Sequence, residues 1–174
     1  MRAPTARALA AMHGFVERVA ASYEAGSMLF DSALLGNGPQ TVAPDGELPE
    51  QPVDVVVSLA APERVTGWQE YLPRLARLAR KALIVVARNA ERPGQGSSPE
   101  GTELAGVLWA AGRVREHAYL AAPRMLAPAD VVHAPAGRLV RRSAPFHAFV
   151  VDTRPRSRQA RRRLRVADGT HGGA

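Results

Sequence analysis

The pattern of apolar and polar positions divides the first 152 residues into alternating helical and extended segments. Between Thr5 and Ala25 the apolar residues fall at Ala8, Met12, Phe15, Val16, Val19 and Tyr23, while Glu17, Arg18 and Glu24 lie elsewhere. Steps of three and four place that stripe on one face of a helix, and Gly26 is a plausible stop. Ser27–Asp31 is a short apolar run ending in an acid, and Gly36-Asn37-Gly38-Pro39 breaks the chain after it. Val53–Leu59 (VDVVVSL) is almost unbroken valine and leucine, which suits a strand covered on both faces. Trp68–Lys81 follows as a helix with Trp68, Tyr71, Leu72, Leu75 and Leu78 on one side, and Pro73 is tolerable if it falls in the first turn. Ala82–Ala87 (ALIVVA) is a second buried strand, Arg88–Gly101 a loop, Thr102–Ala111 a helix stopped by Gly112, Val114–Leu120 a strand and His147–Asp152 the last strand. Strand–helix–strand alternation at this spacing predicts right-handed crossovers in a mostly parallel sheet with helices on both faces. The stretch 121–145 carries no readable period.

Charge changes this picture only at the end of the chain. The formal net charge is +7, but residues 153–174 hold seven arginines and one acid, hence +6 of it, leaving about neutrality for 1–152. We expect one α/β domain over 1–152 and an arginine-rich, disordered tail over 153–174. In that tail Arg158, Arg161, Arg162 and Arg163 are candidates for non-specific contact with nucleic acid or another polyanion, alongside the plainer reading of a solvated terminus. No aromatic residue interrupts the tail to stack bases.

The absence of cysteine excludes disulfides and thiolate chemistry. The absence of an apolar run near the ~20 residues of a membrane span, or of a secretory pattern, favours a cytoplasmic chain without a membrane partner. The five histidines form no pair at metal-ligand spacing, so no metal is expected. Ser143 lacks the glycine flanks of a nucleophile elbow.

The segments resemble those of the class I S-adenosylmethionine-dependent methyltransferases. Asp45-Gly46-Glu47-Leu48-Pro49, the Asp-Val-Val strand at 53–58, the helix 68–81 and the strand 83–89 match the middle of that family, and Phe146–Asp152 matches its last strand, which runs antiparallel. The resemblance implies a Rossmann-like sheet, S-adenosylmethionine as cofactor and methyl transfer to a small-molecule or other acceptor. It makes Met28–Asp31 the second strand and leaves only Met1–Pro4 where the first strand and glycine-rich turn would lie, so that the sheet is expected to lack a central strand. It places Asp31 at the ribose hydroxyls, Asp45 and Gly46 near the adenine, Ser58 at the end of the central strand, and Glu63 and Asn89 towards the acceptor. Each has a plainer reading: Asp31 as a cap before Ser32, Asp45-Gly46 as a turn after Pro44, Asn89 as a loop cap. Glu63-Arg64 stands where family members often carry Glu-His. The alternatives to an active enzyme are a truncated or inactive remnant and a binding module that uses the arginine tail.

Overall fold

The computed structural model describes residues 4–31, 48–59, 65–92, 101–127 and 129–154. Among these residues six strands form one sheet: β1 (Met28–Phe30), β2 (Val53–Leu59), β3 (Ala79–Arg88), β4 (Arg113–Leu120), β5 (Val131–His133) and β6 (Phe146–Asp152). The helices among the described residues are α1 (Ala6–Ser22), α2 (Trp68–Leu78), α3 (Gly101–Ala111) and α4 (Arg138–Ser143). The spatial order is β1-β2-β3-β6-β4-β5. β1, β2 and β3 are parallel neighbours; β6 is antiparallel to both β3 and β4, and β5 is antiparallel to β4. Four strands therefore share one direction, with β6 inserted against them. The two valine-rich strands lie side by side and parallel, Val55 opposite Ala82 and Val57 opposite Ile84.

Strand alternation sends two sets of side chains to two apolar layers. Val55, Val57, Leu59, Ile84, Val86 and Val150 pack under Met12, Phe15, Val16 and Val19 of α1. Val56, Leu83, Val85, Phe149 and Val151 pack under Leu72 and Leu75 of α2 and Leu104 and Leu108 of α3. Coverage on both faces is why β2 and the 82–87 part of β3 read as nearly unbroken apolar runs. Thr5 caps α1, its Oγ1 accepting from the Ala8 amide at 3.2 Å.

Three expectations are corrected. The helix predicted over 68–81 ends at Leu78, because Ala79 turns extended (φ −84°, ψ 113°) and opens β3 three residues earlier than the apolar run suggests. With its start at Trp68, Pro73 falls in the second turn of α2 rather than the first. Gly26 does not stop α1: Glu24 takes the left-handed position (φ 48°), and the Gly26 amide donates to Asp54 Oδ2 at 2.8 Å. β1 pairs directly with β2, Met28 with Val55 and Phe30 with Val57, so β2 has a neighbour on each edge.

Gly112 does end α3, for a steric reason. A Cβ there would lie 2.7 Å from Val151 Cγ1 and 2.8 Å from the Asp152 carbonyl oxygen. No described helix is long and apolar enough to cross a membrane.

Candidate functional site

Parallel strands end together, so the carboxyl ends of β1, β2 and β3 form one edge of the sheet, the place where open α/β sheets receive ligands. Asp31 follows β1, and Ser58 and Leu59 close β2. The short β1–β2 ladder continues one step past β1, where the Asp31 amide donates to the Val57 carbonyl at 3.0 Å. That bond turns the Asp31 carboxylate across the end of β2. The Ser58 hydroxyl donates to Asp31 Oδ2 at 2.5 Å, and the Leu59 amide donates to Oδ1 at 2.7 Å. Asp31 is 2% exposed and Ser58 fully buried. The structure thus brings together two of the residues singled out from sequence, as a buried carboxylate–hydroxyl pair that ties the two strand ends.

Asn89, just after β3, is placed differently. Its Nδ2 donates to the Arg141 carbonyl and, at 3.0 Å, to that of Ala144, while its Oδ1 accepts from the Glu91 amide at 3.2 Å. The Asn89 amide also donates to Pro145 at 3.1 Å. These bonds fasten the end of β3 to the α4–β6 junction. Asp45, Gly46 and Glu63, and the tail arginines Arg158, Arg161, Arg162 and Arg163, lie outside the described residues.

A pair of imidazoles lies near the same edge, on the α2–α3 side. His147 sits opposite Ala87, near the end of β3, and Tyr119 of β4 lies across from it on the other side. His117 stacks on Phe149 with centroids 4.2 Å apart, and its ring is 5.7 Å from that of His147. Burial holds both rings neutral: His117 falls to about 4, and His147, also repelled by His117, to about 3. Neither Nε2 has a hydrogen-bond partner among the described residues. Their ring contact depends on β6 being inserted directly beside β4.

Among the described residues no group of three or more histidines and acids is arranged to hold a metal ion.

A crystal structure of a Thermotoga maritima S-adenosylmethionine-dependent methyltransferase, described as a possible histamine N-methyltransferase, superposes with a TM-score of 0.53 over 85% of this chain and 88% of that one, at 14% identity. The fold is that of the class I S-adenosylmethionine-dependent methyltransferases. The magnesium protoporphyrin IX methyltransferase of Synechocystis PCC 6803, solved with bound S-adenosylmethionine, matches with a TM-score of 0.38 over 82% of this chain and 54% of that one, also at 14% identity. No protein-family model matches the sequence, and no curated protein does. In this methyltransferase fold the inserted β6 is the antiparallel last strand expected from Phe146–Asp152, and the Asp-Val-Val strand is β2.

Proposed function

We propose that this domain binds S-adenosylmethionine at the carboxyl edge of β1 and β2 and transfers its methyl group to an acceptor. The observation that carries the proposal is the Asp31–Ser58 pair at the end of two adjacent parallel strands in a methyltransferase fold. The donor set fits the ribose end of the cofactor. A ribose hydroxyl is the same kind of donor as Ser58 Oγ, and a carboxylate accepts such donors at short distance. In this reading Ser58 occupies the acceptor position that a ribose hydroxyl takes when the nucleoside is present, and the Leu59 amide keeps the carboxylate turned towards it. The bound sulfonium would supply an activated methyl group for in-line displacement, so the protein's share is chiefly orientation of donor and acceptor.

Calorimetry with S-adenosylmethionine tests the proposal. Binding that is weakened about tenfold or more by Asp31→Ala is expected, since a charge-assisted bond is worth about 1.5–3 kcal/mol. Ser58→Ala is expected to bind as tightly as wild type or tighter, because its hydroxyl no longer competes. Absence of heat at millimolar ligand would retire the reading for this chain.

A further inference from the structure

We propose that the cavity between the end of α1 and the β4–β6 ladder is a binding site for a small organic anion, a carboxylate or phosphate carried on an apolar scaffold. The cavity, of about 290 Å³, is lined by Val19, Ser22 and Tyr23 of α1 and its cap, Arg115 and Glu116 of β4, His133 of β5 and Val150 of β6. It lies apart from the carboxyl edge: Val150 pairs with Ile84 in mid-strand, and Arg115 and Glu116 are in the amino-terminal half of β4. Val19 and Val150 give it an apolar floor, and its polar wall is asymmetric.

Glu116 in that wall, and Asp152 beyond it beside Arg115, are each already engaged by a cation. Glu116 is bound by Arg18 at 2.5 Å and faces His133 Nδ1 at 3.1 Å. Asp152 is held by Arg154 in a two-pronged contact of 3.0 and 2.7 Å. Arg115 is left at a long 3.7 Å from Asp152, and its planar fork of five donors is suited to a carboxylate or phosphate. Tyr23 supplies the second donor. It is 8% exposed, and its buried hydroxyl, which Arg115 approaches as a donor, has no acceptor for its own proton among the described residues. Arg154 and Arg115 approach its ring, at 5.1 and 6.0 Å from the centroid. Burial, and then the charge of Asp152, raise the phenol above its ordinary value, with Arg115 and Arg154 pulling the other way, so it stays a proton donor. A buried hydroxyl proton without an acceptor costs free energy, and an anion accepting from both Tyr23 and Arg115 would remove that cost. Counting Arg18, Arg115 and Arg154 against Glu116 and Asp152, the surroundings carry one net positive charge.

The test is an amide-resolved NMR titration of the full 174-residue chain with benzoate, inorganic phosphate and uncharged benzyl alcohol. Saturable shifts at Ser22, Tyr23, Arg115 and His133 are expected with benzoate, at least about tenfold tighter than with benzyl alcohol. Saturation by phosphate at the same amides would show that the anion alone suffices; its absence would assign the site to carboxylates. Tyr23→Phe, which preserves the packing, should weaken benzoate about three- to tenfold and Arg115→Gln about tenfold or more, with Arg115→Lys between them. Equal affinity for benzyl alcohol, or benzoate binding unchanged in both Tyr23→Phe and Arg115→Gln, overturns the proposal. So does a single-stranded oligonucleotide that binds only through 155–174 while benzoate gives no shifts at the cavity.

Discussion

Acidification is a sharp probe of this core, because His147 and His117 are both held neutral inside it. His147 has a folded value of about 3 against an ordinary 6.5, so between those values only the unfolded chain takes up its proton. The sign follows directly: the neutral form's contribution is complete above pH 6.5 and is lost as pH falls towards 3. Each pH unit below 6.5 is worth about 1.36 kcal/mol per histidine, or about 2 kcal/mol for His147 at pH 5. His117, at about 4, is the more exposed of the two, and discounting it for solvent leaves about 1 kcal/mol. Together they predict a loss of about 3 kcal/mol between pH 7.5 and 5, a large share of a typical ~5–15 kcal/mol. Urea unfolding at half-unit pH steps measures it, with the slope against denaturant checked for constancy. His147→Leu should flatten the profile by about 2 kcal/mol over that interval, whatever it does to stability at pH 7.5. Identical pH slopes for wild type and His147→Leu, or a wild type that gains stability on acidification, would refute the reasoning.

Three further outcomes follow from the packing. Gly112→Ala should destabilise the fold by about 1–3 kcal/mol, because the new methyl meets the Val151 side chain and the Asp152 backbone; thermal melts read this. Asn89→Ala should cost about 2–3 kcal/mol and speed hydrogen exchange at the Glu91 amide, since the carbonyls of Arg141 and Ala144 and the Glu91 amide lose their partner. Leu75→Ala, at a fully buried position on the sheet-facing side of α2, should cost about 2–5 kcal/mol by chemical denaturation.

The elements that hold the core were legible because two-sided burial leaves a strong signature. ALIVVA is apolar throughout and VDVVVSL is broken only by Asp54 and Ser58, since α1 and the α2–α3 pair cover opposite faces, and the α1 stripe matches the residues it buries. Their boundaries were less legible. Ala79–Lys81 is a polar, alanine-bearing stretch compatible with the last turn of a helix, and only pairing with β2 makes it a strand. The stretch 121–145 yields a three-residue strand and a six-residue helix, both too short to show a period. At the carboxyl edge, the position of Asp31 at a strand end was readable, whereas its bond to Ser58 was not. That bond depends on β1 lying directly beside β2, a tertiary choice that no local pattern reveals. The cavity at Tyr23 was invisible for the same reason: its lining comes from α1, β4, β5 and β6, and no local pattern links them.

The location of the nucleoside is decided most directly by an amide-resolved titration with S-adenosylhomocysteine. Saturable shifts centred on Asp31, Ser58 and Leu59, with Tyr23, Arg115 and His133 unmoved, are the predicted result. Shifts confined to the α1 cavity, or none at millimolar ligand, would contradict a cofactor site at the ends of β1 and β2.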